Sequence, residues 1–490
     1  MNHLHEHHPH GVPPLAAREK MVLWLASISL LWTTWALGGV AFWAQIGSVA
    51  LSLLCLIVAV WPSRINGAAN FHALLRFVPF WMGLFVLLYM VVQVLNPSWV
   101  LSPNLDGRLV PVRQDYIHWL PNGIRTPIYR MNPLLMVMVL APGWMLMCSI
   151  WAALRRPKSM RIMLWVMVLN ASMFSVVGLL QAISHSKKML WLFDAPAGLN
   201  SFWGMIGNPN HASAFMNLGL GAAFALILFY TGPLSKKQDL SKGGSFLMLI
   251  PFSVIILGGV VQAMSRAGIL VAGIICAAFM VLVLYRFVRA MLQSGNRQMA
   301  LVFSGVLALI VLVIGAGVIS TVDMERVMKE MKTLTSVAND PLDDSRYYIN
   351  MASLDLFERH PVLGNGAGCY RYFIGGPQQK YPQLMPKRYR LNLVFAHNDY
   401  INYLCDIGIV GSLPLGLCAF GPMAFVLFFR RKGLDSFSVA GFVALGAVLL
   451  HVAFEFFMQH PLVVMQFALL LSCITRSVSQ RHHMRTRSEM

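Results

Sequence analysis

Acidic side chains are scarce in this sequence: 19 Asp and Glu among 490 residues, set against 38 Lys and Arg. Charged residues of both signs make only 12% of the chain, while 57% is hydrophobic and mean hydropathy is +0.63. Such values exclude an ordinary soluble domain. Cysteine is also sparse, seven in all, and Cys55, Cys148, Cys276, Cys418 and Cys473 fall inside apolar runs, where they behave as small apolar residues. No disulfide framework is implied. Missing too is the short apolar–polar alternation of a membrane barrel, so the spanning elements must be helices, which alone otherwise satisfy the backbone in lipid.

What is present is a series of apolar stretches of about 20 residues, the length a helix needs to cross a hydrocarbon core. They predict an all-α polytopic membrane protein with about twelve transmembrane helices, near 21–38, 40–61, 73–95, 132–153, 162–183, 207–230, 245–263, 268–285, 299–319, 409–429, 437–457 and 461–475. The first span is expected to be retained, because it lacks a small-residue cleavage site and runs into the second. Short-loop cations fall on every second connection. Arg155, Arg156, Lys158 and Arg161; Lys236, Lys237 and Lys242; Arg286, Arg289 and Arg297; Arg430, Arg431 and Lys432; and the tail Arg476, Arg481, Arg485 and Arg487 share one face. That face is expected to be cytoplasmic, with both termini inside. The +19 net charge is thus a topogenic signal with attraction to anionic lipid, and nucleic acid is not an expected partner. The opening "MNHLHEHHPH" reads as a cytoplasmic His-rich tail, 1–20; a loose metal site through His3, His5, His7, His8 and His10 is the weaker reading, as no Cys or carboxylate cluster completes it.

Three segments of real length are left for the other side: 96–131, 184–206 and 320–408. The domain organisation follows as a nine-helix region over 21–319, a large outer loop domain over 320–408, three closing helices over 409–475 and a basic tail over 476–490. In "PLDDSRYYINMASLDLFERHP" the residues Asp343, Asp344 and Ser345 supply helix N-cap chemistry and Pro361 the stop. Spacing assigns Tyr347, Met351 and Leu354 to an apolar face, and Arg346, Asn350 and Ser353 to a polar one. "GNGAG", 364–368, looks like a nucleotide loop but has no strand–turn–helix unit around it. After Lys387, Arg388 and Arg390 comes "FAHNDYINYLCDIGIVG". Here Asn398 or Asp399 is expected to cap a short surface helix from about Tyr400 to Ile407, ended by Gly408, with His397 just before its first turn.

His397 is the one side chain of that motif with an ordinary pKa near neutrality, suiting it to take a proton; a structural histidine bonding a loop carbonyl is the alternative. Arg346 and Arg266, the latter in "QAMSRAGIL", add charge nearby. Arg266 lies in a hairpin on the face that short-loop cations avoid, which calls for an anionic partner. Arg suits such a partner better than Lys, since its fork binds anionic oxygens in pairs. In "GNPNH", Asn208, Pro209 and Asn210 read as the cap of the next span, with substrate contact as a second role. Asn398 and Tyr400 are candidate substrate contacts as well. Tyr116, Trp119 and Tyr129 fit either a membrane aromatic belt or sugar stacking.

The motifs "SFWGMIGNPNHASAFMNLG", "MSRAG", "DDSRYYINMASLDLFERHPVLGNGAG" and "AHNDYINYLCDIGIVG", in that order over roughly 200–430, resemble the O-antigen ligase and polymerase superfamily of bacterial envelope glycosyltransferases. The resemblance implies a GT-C-like helical bundle in the inner membrane. Its expected activity is transfer of a glycan from an undecaprenyl-diphosphate carrier to an acceptor hydroxyl, with the site on the periplasmic side. His397 would match the family's base or acceptor-orienting group, and Arg266 and Arg346 its diphosphate-binding arginines. Where the family often carries Glu, this chain has Asp406. The expected partners are the lipid-linked glycan donor, a glycolipid, glycan or protein acceptor, and the membrane. No cofactor and no metal are expected, Asp343 and Asp344 being explained as caps. Ligase, polymerase of lipid-linked repeat units and protein O-oligosaccharyltransferase all remain open. A proton-coupled transporter is the non-enzyme alternative, suggested by His451 and Glu455 at i, i+4 on one span, although no repeat symmetry about the sixth span is visible.

Overall fold

Proline stands first in four of the long helices and second in a fifth, where its missing N–H is no loss. The helices are Ala17–Trp35 (α1), Phe42–Val60 (α2), Ala69–Leu75 (α3), Val78–Leu95 (α4), Pro133–Ala153 (α5), Pro157–Ile183 (α6), Pro209–Tyr230 (α7), Gly244–Gln262 (α8), Arg266–Ser294 (α9), Ser345–Arg359 (α10), Tyr370–Phe373 (α11), Gly375–Gln378 (α12), Asp399–Phe429 (α13), Ser436–Val452 (α14) and Pro461–Glu489 (α15). The computed structural model describes residues 15–62, 68–104, 109–128, 130–194, 202–231, 244–294, 345–385 and 393–489. The expected span 299–319, the His-rich start, Tyr129, Lys236, Lys237, Lys242, Arg297, the Asp343–Asp344 cap and the basic stretch Lys387, Arg388 and Arg390 lie outside the described residues.

Among the described residues eight helices are long and apolar enough to cross a membrane: α2, α4, α5, α6, α7, α9, α13 and α15. The apolar helices α8 and α14 are shorter, and α1, with Arg18, Glu19 and Lys20 in its first turn, is not among the eight. This is an all-α multi-pass membrane protein. The most enclosed helix is α7, whose apolar window is 94% buried, followed by α15 at 89% and α5 at 72%. By contrast α13 and α9 bury only 17% and 22% of theirs and present Leu413, Leu417, Phe425, Leu270 and Ile274 outward. An apolar face unpartnered by protein is what a lipid solvent permits. The main packing pairs are α15 on α5, α14 on α7, α1 and α5 on α2, and α6 and α8 on α7. All seven cysteines are free.

Cations gather at one end. The buried Glu19 carboxylate accepts from the backbone N–H groups of Arg155 (3.1 Å) and Arg156 (3.0 Å) and from Ser159 Oγ (2.6 Å), holding the start of α6. Arg481 pairs with Asp435 at 2.9 Å, and Arg476 donates to the Leu154 carbonyl, so the basic end of α15 is helical and seated against the neighbouring loops.

At the opposite end the segment after α4 forms a small sheet, β1 (Pro97–Pro103) between β2 (Leu109–Arg113) and β3 (Gly123–Arg125). Its register pairs Trp99 with Arg113 antiparallel and Trp99 with Ile124 parallel. Asn96 secures the return by donating to the Ile117 and Pro121 carbonyls.

Candidate functional site

The motif helix and the span that follows it form one element. α13 runs Asp399–Phe429 and breaks only at Gly408, which takes φ 59° and ψ −171°. A Cβ there would meet the Val362 carbonyl, because the chain at Pro361–Val362 accepts from Ile409 N (2.9 Å) and Val410 N (3.2 Å). The "GNGAG" loop wraps the same turns: Gly364, Gly366 and Gly368 all have positive φ. The Asp406 carboxylate accepts from Gly368 N at 3.0 Å, Tyr370 N at 2.9 Å and Asn402 Nδ2 at 3.0 Å. The glycine loop is therefore scaffolding that fastens the α10–α12 region to α13, and Asp406 is its clasp.

Asn398 is the N-cap of α13, its Oδ1 accepting from Ile401 N at 3.2 Å. Asp399, buried, instead accepts from Met458 N at 2.7 Å and Gln459 Nε2 at 3.2 Å. These bonds draw the turn between α14 and α15 up to the start of α13. His397, just outside the cap, has φ 51°. Its ring stands edge-on to Phe456 at 4.9 Å and its Nδ1 lies 3.2 Å from Glu455 Oε1. The same oxygen lies 3.4 Å from an Arg346 guanidinium nitrogen, and another Arg346 nitrogen lies 3.4 Å from the Phe454 carbonyl. Glu455 is almost wholly buried, whereas the His397 and Arg346 side chains are 34% and 43% exposed. One buried carboxylate thus joins two side chains that open to the surface.

The remaining candidates take separate places. Arg266 is the first residue of α9, half-buried, after a turn in which Met264 has φ 57° and Ser265 Oγ accepts from Gly268 N. A cation at a helix start opposes the helix dipole. α9 begins against α7, where Asn217 Nδ2 donates to the Gly268 carbonyl at 2.9 Å. Nearly two turns earlier on α7, His211 is buried edge-on to Phe456 at 4.8 Å, the ring that also contacts His397. The helix that Arg266 begins thus packs on α7, while the His397–Glu455–Arg346 cluster itself does not include Arg266. Asn208 caps α7, with Oδ1 accepting from Asn210 N at 2.9 Å, and Asn210 gives its carbonyl to Ser213. Tyr400 donates to the Leu449 carbonyl at 2.8 Å.

Two sequence expectations need correction. Tyr347 and Leu354 of α10 are exposed, while Ile349, Ala352, Ser353 and Leu356 are buried. Ser353 is not on an open polar face: its hydroxyl bonds the Ile349 carbonyl and the Tyr370 hydroxyl. Helix α10 packs on α13 rather than on lipid, which selects the smaller side chains. Secondly, His451 and Glu455 do not share a helix face. α14 ends at Val452, so Glu455 falls in the turn that meets His397. The sequence signal was present in the rare acid of "HVAFEFFMQHP", but its partner lies 58 positions earlier rather than four. Among the described residues no group of three or more His, Cys, Asp or Glu could hold a metal ion.

From the site end a cavity of about 420 Å³ runs down between α4, α5, α13, α14 and α15. Asp399 and Tyr400 stand at its head, and Val86, Leu140, Trp144, Leu413 and Phe467 line its length.

The fold and site define a multi-pass membrane protein with a histidine–carboxylate–arginine cluster at one end of its bundle. Residues 251–416 match the family model described as O-antigen ligase, a stretch that includes Arg266, Arg346 and His397 but not Glu455. The match covers about a third of the chain and supports the resemblance carried by the motifs, that of a ligase- or polymerase-like membrane glycosyltransferase. No curated protein matches the chain.

Proposed function

We propose that this protein transfers a glycan from an undecaprenyl-diphosphate carrier to an acceptor hydroxyl at the outer, periplasmic face of the bacterial inner membrane. The observation that carries the reading is the Glu455 carboxylate shared by His397 and Arg346. With Nδ1–H donated to Glu455, His397 Nε2 is left as the acceptor for a hydroxyl proton. The acceptor oxygen attacks the anomeric carbon, the bond from that carbon to the diphosphate oxygen breaks, and the leaving diphosphate takes the electron pair. Arg346 and Arg266 hold the charge that develops there. Glu455 stabilises the imidazolium formed in the same step, as a buried carboxylate behind a catalytic histidine does.

The apolar cavity supports a lipid-borne donor, since its head lies at the motif and its walls offer almost no polar atoms. The concentration of cations at the other end supports cytoplasmic termini and a periplasmic site. The acceptor is a glycolipid, a growing glycan or a protein hydroxyl.

The test is reconstitution in vesicles with carrier-linked glycan from the producing cells and three acceptors in turn: lipid A–core, a second carrier-linked repeat and a Ser/Thr peptide. Transfer to one of them without an ion gradient, with release of polyprenyl diphosphate, is expected. Gradient-dependent movement with no bond exchange would make the protein a transporter instead.

A further inference from the structure

Beside the cluster lies a cation that the proposed chemistry does not use. Arg371, in the short helix α11, sits where the glycine loop meets the three-stranded sheet: Tyr372 donates to the Met131 carbonyl at 2.9 Å, and Cys369 packs with Leu101 and Ile124. The Arg371 guanidinium is half-buried over the Phe395 ring at 5.0 Å. Its Nε is buried without a hydrogen-bond partner, and among the described residues no ion pair is formed by this side chain. Burial lowers its pKa, an effect opposed by Tyr372, Asp406 and Cys369 and added to, least of all, by Arg130. The one carboxylate acting on it is Asp406, already committed to Gly368, Tyr370 and Asn402. Arg130 is exposed and adjoins Met131, whose carbonyl accepts from the Tyr372 hydroxyl next to Arg371, so the two arginines belong to the same corner of the fold. A half-buried charge left uncompensated is costly, and an anion from outside the chain relieves it.

The position gives that anion an identity. Phe395 stacks on Phe456 at 4.4 Å, and Phe456 contacts the His397 ring at 4.9 Å, so the arginine is three ring contacts from the proposed base.

We propose that Arg371 and Arg130 form a second anion subsite, which recognises a negatively charged substituent, a phosphate monoester or a uronate carboxylate, on the saccharide handled at His397. The identity of the ligand as a saccharide rests on the glycan-transfer reading; the anion site itself does not.

The experiment is calorimetric titration of the full-length protein in nanodiscs with glucose 6-phosphate, glucuronate and neutral glucose. The wild type is expected to bind one or both anionic sugars and to bind glucose much more weakly; the preferred probe tells phosphate from carboxylate. Arg371→Met keeps the packing on Phe395, and Arg130→Gln changes an exposed side chain with no bearing on folding. Each should weaken the anionic sugar by about tenfold or more, as loss of charge-assisted bonds does, and leave glucose unchanged. Anionic-sugar affinity unchanged in both variants, or lost only in Arg346→Gln, overturns the subsite, as does a wild type that binds neither anion. If Arg371→Met lowers the melting temperature, Arg130→Gln alone decides. A protein that shows this binding yet transfers no glycan would sink the proposed function and leave the subsite standing.

Discussion

Replacing Glu455 by Gln keeps its shape and removes its charge, which separates orientation of His397 from stabilisation of the imidazolium. Glu455→Gln is expected to slow transfer by about tenfold or more, since second partners of a reacting histidine contribute on that order. His397→Ala should cost about 10²–10⁴-fold, the range of a general base, with abundance in the membrane unchanged because the residue precedes the helix. Rates from purified protein check both; His397→Ala with more than about a tenth of wild-type activity would remove the base assignment. The arginines make a related prediction. Arg266→Lys and Arg346→Lys should both be poorly active, because an ammonium lacks the paired donors of a guanidinium. Transfer should meanwhile persist in excess EDTA, the arginines supplying the positive charge that a divalent cation would bring. Loss in chelator with recovery in Mg²⁺ or Mn²⁺ would point to a metal-assisted site.

α13 shows how one element holds the site in register. Its first two turns carry Asp399, Asn402 and Asp406, each bonded to a different neighbouring segment, and its break at Gly408 lets the helix pass beneath the Pro361–Val362 chain. Gly408→Ala forces a side chain into a conformation that glycine almost alone adopts, at a cost of about 1–3 kcal/mol, and into the Val362 carbonyl. Asp406→Asn keeps the volume but turns one acceptor into a donor facing N–H groups, a loss of about 1–3 kcal/mol. Both variants should lower the midpoint of heat-induced loss of monodisperse protein in detergent, and lower activity in parallel. A Gly408→Ala protein as heat-resistant as wild type would show that the loop is free to move away. The α10 face was misread at this scale for a definite reason. Periodicity ranks side chains by hydrophobicity, whereas a helix wedged against α13 selects by size and hydrogen bonding, so Ser353 goes in and Tyr347 stays out.

For the molecule as a whole, the proposed orientation is tested by labelling. Lys380→Cys lies at the site end and Lys432→Cys at the cation-rich end, while five of the seven native cysteines are buried. A membrane-impermeant maleimide should reach the first from outside and the second only after permeabilisation; the reverse pattern would invert the topology. The sequence alone determined that the chain lies in a membrane and where most helices begin. These depend on local quantities: apolar length against bilayer thickness, proline at helix starts and Asn at caps, as at Asn208 and Asn398. It also marked His397, Arg266 and Arg346 through motif resemblance. Only the tertiary structure decided that the 96–131 segment forms a sheet against the glycine loop, that Asp406 is a clasp, and that Glu455 meets His397 and Arg346. Those facts depend on pairings across many intervening residues, and a hydrogen bond between side chains 58 or 109 positions apart leaves no periodic trace in either segment.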